Sequence, residues 1–288
     1  MHRIVRSTLP ALGLLLAGTA AEAQYTVYGV TGGNGQQQLV SFNSATPGAV
    51  TVIGNTGASL TGIDFRPANG VLYGYNGSLL YTIDLTTGAA TQAFDVNNIP
   101  GANAGFDFNP TVDLIRVTDA GGTNLRVNPN TGTTAVDGTI AGAISGAGYT
   151  NNDNDAATGT TLFGIDAAQG TLVSFTNPNA GTFTTVGSLN LGFLPTVNGF
   201  DIVTVGGLNF AFLAAGTGTG SATSSFYSVN LATGAATLVG AVGPGNGRQG
   251  GLAGIAVQST VPEPGTWALM GTGLLGLAGI ARRRRTQG

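Results

Sequence analysis

The sequence between residues 24 and 258 predicts an all-β fold, a five-bladed β-propeller with four short antiparallel strands in each blade. Two observations predict it. A unit of four short strands recurs every 43 to 55 residues, and its β-branched and aromatic runs are bounded by Gly- and Asn-containing turns, as strands are. No stretch of this region shows an apolar period of 3.6 residues over three helical turns. Four-stranded units at this spacing are typical of propeller blades.

The first strand of each unit begins with Gly and, in most copies, places Asp two residues later. Asp64 and Asp107 are 43 residues apart, as are Asp107 and Thr150, and Thr150 precedes Asp201 by 51 residues. A fifth and degenerate copy begins at Gly254. The five copies are Gly62-Ile63-Asp64-Phe65, Gly105-Phe106-Asp107-Phe108, Gly148-Tyr149-Thr150-Asn151, Gly199-Phe200-Asp201-Ile202 and Gly254-Ile255-Ala256-Val257.

Each first strand is followed by two more strands, a turn that ends in Gly and a fourth strand. In the unit that begins at Gly62, these are residues 71–75, residues 80–84, the turn Thr86-Thr87-Gly88 and residues 90–93. Gly at the end of the turn supplies a positive φ without steric cost. This order repeats with the same turn chemistry in the following units.

The two ends of the region predict how the ring closes. The chain begins at Tyr25 with a sequence typical of a second strand, and its missing first strand is Leu252 to Val257 at the far end. Pairing of these strands would close the ring and remove two exposed edges. An open β-sandwich or a parallel β-helix of the same short strands is the alternative.

Residues 1–23 have the pattern of a secretory signal peptide. Arg3 and Arg6 give a basic start, residues 9–17 are apolar, and Ala21-Glu22-Ala23 is a small-x-small cleavage site. The mature chain is expected to begin at Gln24 and to be exported by the secretion machinery. Because the chain has no cysteine, no disulfide stabilises the exported domain.

Residues 259–288 form a tail of three parts. A short motif precedes the apolar run 265–281, which at 17 residues is at the short limit for a transmembrane helix. A basic end follows and is expected to stay in the cytoplasm. The motif is Val261, Pro262, Glu263 and Pro264, and the basic end is Arg282, Arg283, Arg284 and Arg285.

This tail resembles the PEP-CTERM sorting signal of Gram-negative bacteria. The resemblance implies an inner-membrane precursor that an exosortase recognises at Pro262-Glu263-Pro264 and cleaves, with delivery to the cell surface or the medium. Such proteins are associated with exopolysaccharide and biofilm. A simple membrane anchor is the alternative, although it leaves the Pro-Glu-Pro motif unexplained. The region from Tyr25 to Val257 is similar to an uncharacterised bacterial propeller-like domain family, which implies no activity.

The composition of the mature domain excludes several function classes. The chain has no Lys, its one histidine is His2, and its two glutamates, Glu22 and Glu263, lie in the end segments. No catalytic triad, Cys–His pair, histidine metal site or Schiff base is therefore available in the domain. Eleven aspartates against four arginines give it a charge of −7. Nucleic acid is not an expected partner of so acidic a surface.

Two sets of aspartates are candidate ligand-binding residues. Asp64, Asp107 and Asp201 recur at one strand position and, if that strand is innermost, converge near the ring axis, where they would bind a cation or a sugar. The alternative is that each carboxylate binds backbone groups of the next turn. Asp153 and Asp155 lie in an oxygen-rich run that resembles part of a calcium loop. The alternative there is a solvated loop between blades.

Two functions are compatible with these features. The first is a non-catalytic surface or matrix protein that binds a glycan or an envelope protein and needs no cofactor other than calcium. The second is a lactonase- or glycosidase-like hydrolase or lyase with an Asp pair at the central channel. The lack of His, Lys and Glu in the domain favours the first.

Overall fold

The structure is a computed structural model that describes residues 24–31, 37–96, 104–153, 155–216, 223–243 and 251–258. The predicted signal peptide, with Ala21 and Ala23, and the predicted sorting tail, with its apolar run and basic end, lie outside these ranges. Within the described part of the chain, no helix has the length and apolarity to cross a bilayer.

The described chain forms twenty strands in five antiparallel sheets of four strands each. Blade 1 contains β1 (Thr26–Thr31), β2 (Gln38–Asn43), β3 (Thr46–Asn55) and the last strand, β20 (Leu252–Gln258). Blade 2 contains β4 (Gly62–Phe65), β5 (Leu72–Tyr75), β6 (Leu79–Ile83) and β7 (Ala90–Asp95). Blade 3 contains β8 (Gly105–Asn109), β9 (Leu114–Thr118), β10 (Asn124–Val127) and β11 (Thr134–Val136).

Blade 4 contains β12 (Ile144–Tyr149), β13 (Leu162–Asp166), β14 (Thr171–Asn177) and β15 (Thr182–Ser188). Blade 5 contains β16 (Thr196–Val205), β17 (Leu208–Gly216), β18 (Ser225–Val229) and β19 (Ala236–Ala241). Two short 3-10 helices, Ala156–Thr158 and Pro178–Ala180, interrupt blade 4.

The five-bladed propeller and its closure are confirmed. In blade 1 the strand order is β20-β1-β2-β3, so the last strand pairs with the first, with Val27 opposite Val257 and Gly29 opposite Ile255. The other four blades each use four consecutive strands. Separate antiparallel sheets arranged in a ring exclude the open β-sandwich and the parallel β-helix.

The first strand of each blade is innermost. The strands β20, β4, β8, β12 and β16 contact one another in a closed ring, and a glycine from each lines a small cavity on the axis. These glycines are Gly62, Gly105, Gly146, Gly199 and Gly254.

The hydrophobic core follows the junctions between blades. Five clusters of buried side chains are found among the described residues. Four of them join two neighbouring blades, and the fifth lies within blade 4 together with Ile140 from the connection that precedes it. Between blades 2 and 3, Tyr75 stacks on Phe106 with ring centroids 5.6 Å apart. Between blades 1 and 5, Tyr25 meets Phe212 edge-on at 5.7 Å. Aromatic contacts of this kind stabilise a pair beyond the area it buries.

The turns between third and fourth strands connect neighbouring blades at their outer edges. Gly88, Gly132, Gly181 and Gly234 end these turns with φ between 73° and 81°, a conformation that glycine adopts without strain. Each turn packs against the backbone of the preceding blade, for example Gly88 against Gly54 and Gly234 against Gly187. The repeated Gly is therefore required both by the turn and by the close contact between blades.

We expect Gly54→Ala to destabilise the propeller by about 1–3 kcal/mol, because overpacking a close contact forces the backbone to shift. A Cβ at Gly54 would lie 2.0 Å from the carbonyl oxygen of Thr87. Gly48 lies in the same strand, and a Cβ there meets its nearest neighbour at 3.8 Å, so Gly48→Ala is the matched control with an effect within about 0.5 kcal/mol. Urea denaturation measures both. Equal effects would contradict the close contact inferred at this junction.

Candidate functional site: three buried aspartates on the propeller axis

The inner strands bring three aspartates together on the ring axis. Asp64 lies on β4, Asp107 on β8 and Asp201 on β16, and one carboxylate oxygen from each lies within 4.8 Å of the other two. Their relative exposures are 6%, 4% and 2%. The sequence placed these residues at one strand position, and the structure gathers them into a single buried cluster, called here the axial centre.

Each of these carboxylates also joins its blade to the next one. The backbone N–H of Phe108 donates to Asp64 at 2.7 Å, and the N–H of Tyr149 donates to Asp107 at 2.9 Å. The N–H of Val257, on the closing strand, donates to Asp201. The carboxylates thus connect blade 2 to blade 3, blade 3 to blade 4, and blade 5 to blade 1.

Two of the three carboxylates also bind within their own strand. Asp64 accepts the N–H of Phe65 at 2.7 Å, and Asp201 accepts the N–H of Ile202 at 2.6 Å. Asx-type bonding to backbone groups, which the sequence offered as an alternative to a shared site, is therefore present together with the shared site.

The two blades that contribute no aspartate have small residues at the equivalent position. These are Gly148 on β12 and Ala256 on β20. The residues that follow them, Tyr149 and Val257, donate to the aspartate of the preceding blade. Phe108, which follows Asp107, donates to Asp64 in the same way. The prediction that Thr150 takes this position in blade 4 is wrong. Thr150 lies beyond the end of β12, and its hydroxyl accepts the N–H of Thr161.

The physical reason for that error is a second glycine in β12. A Cβ at Gly105 would meet Ala147, and one at Gly146 would meet Phe200, so Gly146 is the counterpart of the first-strand glycines. Alignment on Gly148 consequently shifted the expected position by two residues.

Burial and mutual repulsion dominate the electrostatics of the axial centre. Burial raises the pKa of Asp201 to about 6, although hydrogen bonds from Val257 and Ile202 oppose the shift. Burial, then the charge of Asp201, raises the pKa of Asp64 well above its usual value. Burial and the charges of both neighbours do the same for Asp107. Charging all three groups in this enclosed space is costly without a counter-charge.

The aspartates of the oxygen-rich loop after β12 do not belong to the axial centre. Asp153 accepts the N–H of Asp155 at 3.0 Å and the hydroxyl of Thr158 at 3.1 Å, while Asp155 accepts the N–H of Ala157 at 2.9 Å. Both aspartates are exposed. Their hydrogen bonds are those of a capped 3-10 turn.

Asn152, in the same loop, joins blades 4 and 5. It donates to the carbonyl of Ile202 and accepts the N–H of Thr204.

A buried arginine that sequence reasoning did not single out holds blades 3 and 4 together. Arg116 is 2% exposed and donates to Asp137, to Asn124 and, across the junction, to Asn179 at 2.7 Å. Burial alone would raise the pKa of Asp137, but hydrogen bonds and charge from Arg126 and Arg116 hold it below its usual value. The three residues Arg116, Asp137 and Arg126 form one ion-pair network.

Comparison with protein families decides the classification of this domain. Residues 38–256 match the domain of unknown function DUF4394. The chain belongs to the DUF4394 family. Residues 260–285 match the PEP-CTERM protein-sorting motif, so the predicted resemblances of both the tail and the ectodomain are confirmed. The chain is therefore an exported DUF4394 protein with a C-terminal sorting motif.

Two solved structures that are similar to the DUF4394 propeller share little sequence with it. Hydrazine synthase from Kuenenia stuttgartiensis is 12% identical with a TM-score of 0.42, over 62% of this chain and 47% of that one. A protein of unknown function from Bacteroides thetaiotaomicron is 14% identical with a TM-score of 0.46, over 73% and 55%. The chain thus spans about half the length of each. No curated protein matches the chain.

Proposed function

We propose that this protein is a non-catalytic binding or structural module of the cell envelope, associated with exopolysaccharide or biofilm, whose ring is closed around a buried cation. The proposal rests on the geometry of the axial centre. Three buried carboxylates, within 4.8 Å of one another, also accept the backbone N–H groups that join neighbouring blades. A cation there would neutralise the repulsion and stabilise three blade junctions together.

Calcium is the cation that this set of ligands suits. Calcium takes carboxylate oxygens as ligands and tolerates irregular geometry. The hydrogen bonds that the described residues make to the three carboxylates come from backbone N–H groups, and no described arginine pairs with them. Positive charge from a bound ion would therefore compensate the three carboxylates.

The shape of the channel favours a structural or binding role over catalysis at the aspartates. The cavity on the axis beside the glycine ring has a volume of about 10 Å³, which is room for about one water molecule. A glycoside or lactone needs a cleft of several hundred cubic ångströms. None of the three aspartates lines this cavity or the cavity of about 210 Å³ that Phe65 and Gln258 line. A hydrolase or lyase that uses these aspartates would therefore have to open the ring to admit its substrate.

The route to the envelope follows from the two end segments. The protein is exported and sorted through its PEP-CTERM motif. We propose that the apolar run after Pro264 anchors the precursor in the inner membrane and that an exosortase-type enzyme cleaves near Pro262. The acidic domain is then released or attached at the surface, where a glycan or an envelope protein is its partner.

Calcium should raise the melting temperature of the purified domain, and a chelator should lower it, with loss of the response in Asp107→Asn. Binding to the folded state stabilises it in proportion to the logarithm of ligand concentration, about 2.7 kcal/mol at a hundredfold excess over Kd. Asp153→Asn is the matched control, because it removes one carboxylate from the exposed loop and should keep the response. No calcium shift in the wild type, or a shift lost only in Asp153→Asn, would overturn the axial cation.

The competing hydrolase is tested by turnover. Purified domain is assayed on a panel of glycosides, lactones and esters beside a glycan array. We expect binding without turnover. Turnover that Asp107→Asn or Asp201→Asn abolishes would replace the non-catalytic proposal with the hydrolase.

A further inference from the structure

The described chain ends at the mouth of the central channel. β20 is an inner strand, and its last residue, Gln258, lines a cavity of about 210 Å³ together with Phe65, Arg66, Asn152 and Asp153. Arg66 follows β4, and Asn152 follows β12. The C-terminal ends of inner strands from three blades therefore meet at one face, called here the exit face.

The link between the exit face and the apolar run is short. Six residues, 259–264, separate Gln258 from Gly265, and six fully extended residues span about 20 Å at most. The four strands of a blade cover about 14 Å from first to last. The distance from the propeller axis to its outer edge is larger than this, because the inner strand is itself displaced from the axis. If the edge of the propeller faced the membrane, residues 259–264 would have to be fully extended to reach it. If the exit face lay on the membrane, the same residues would have no such distance to span.

We infer that the exit face rests on the periplasmic surface of the membrane in the precursor, and that cleavage near Pro262 uncovers its cavity. This inference rests on the membrane anchoring proposed above but is independent of the axial cation. Removal of the tail thus converts a covered mouth into an accessible one on the released domain. The opposite face, where the five inner strands begin, points away from the membrane throughout.

The exit face is too acidic to bind anionic lipid by itself, so its contact with the membrane depends on the C-terminal tail. Asp113, Asp153 and Asp155 lie in loops that follow β8 and β12 at the exit face. The one cation lining its described cavity, Arg66, is paired with Asp113. Anionic lipid attracts clusters of Lys and Arg, and this face has no such cluster among its described residues. The released domain is therefore expected to leave the membrane.

The absence of cysteine allows a single probe on each face. Ala68, in the exposed hairpin after β4, lies at the exit face, and exposed Ser78, in the hairpin after β5, lies at the opposite face of the same blade. Each variant, Ala68→Cys or Ser78→Cys, is labelled with a fluorophore in the full-length chain from Gln24. The protein is then reconstituted into vesicles whose headgroups carry a quencher.

Quenching should be several-fold stronger for the probe at position 68 than at position 78, and both should be unquenched in chains truncated after Thr260. Equal quenching of the two probes, or stronger quenching at 78, would overturn the orientation while leaving the anchor intact. A full-length chain that does not co-sediment with vesicles would overturn both the anchor and the orientation. Truncated chains that still bind vesicles would overturn the inference that cleavage uncovers the cavity, because the domain would then bind the membrane without its tail.

Discussion

Replacement of Arg116 by Met is expected to lower the free energy of unfolding by about 3–5 kcal/mol, which is the usual cost of breaking a buried ion pair by removing one partner. Arg116 is 2% exposed and donates to Asp137, Asn124 and Asn179. The substitution therefore leaves the buried side chains of Asp137 and Asn124 without their charged partner and removes the hydrogen bond to Asn179 in blade 4. For a domain of this size, the melting temperature should fall by roughly 10 °C.

Arg126 provides the matched control for this experiment. It pairs with the same carboxylate of Asp137 at 2.8 Å, but its side chain is 32% exposed. Partly exposed ion pairs contribute about 0–1 kcal/mol, so Arg126→Met should change stability little. Denaturant unfolding of both variants measures the difference. Equal losses would contradict a junction held by Arg116 and would locate the effect in the shared carboxylate.

Without a cation, the stability of the propeller should fall as pH rises from about 4 to 7. The folded state raises the pKa of Asp201 to about 6 and the pKa values of Asp64 and Asp107 well above the usual value, so folding binds protons. The resulting stabilisation is complete below the unfolded pKa of about 4 and is lost as pH rises through the folded values. The shift of Asp201 alone corresponds to about 3 kcal/mol.

The comparison with Asp201→Asn isolates this contribution. Asp137 acts in the opposite direction. Because its pKa is lowered in the folded state, it stabilises the fold above the unfolded pKa, and this stabilisation is lost on acidification. The contribution of Asp137 is the same in the wild type and in Asp201→Asn, so it cancels in the comparison. In a chelator, the wild type should lose stability relative to Asp201→Asn as pH rises. Calcium should reverse the trend, since it competes with protons for the same oxygens. Parallel pH profiles of the two proteins would contradict a repulsive axial centre.

The blade pattern was predictable from the sequence because its signals are local. Each turn that ends in Gly88, Gly132 or Gly234 marks a hairpin by its own chemistry, and the position of the missing first strand at Leu252 to Val257 follows from counting strands. The shared position of Asp64, Asp107 and Asp201 was predictable for the same reason. The 4.8 Å separation of their oxygens was not, because it depends on how five inner strands pack around the axis.

Other features depend on contacts that sequence patterns do not carry. Arg116 stands in a short strand, and its partner Asn179 is 63 residues away, so no local signal connects them. Thr150 was misplaced because Gly146 and Gly148 fit the strand pattern equally well. Only the place of Gly146 in the ring of glycines and the hydrogen bond from Tyr149 to Asp107 distinguish them. Asn152 directly precedes Asp153 in the oxygen-rich run, and nothing in that local pattern indicates that its side chain joins two blades through Ile202 and Thr204.

The proposed function rests on a cation held by the three axial carboxylates. Anomalous diffraction from crystals of the mature domain grown with calcium and then exchanged into a lanthanide tests it most directly, because the peak locates the ion. We expect one peak on the propeller axis between Asp64, Asp107 and Asp201. A map with no peak there, or with a peak only beside Asp153 and Asp155, would contradict it.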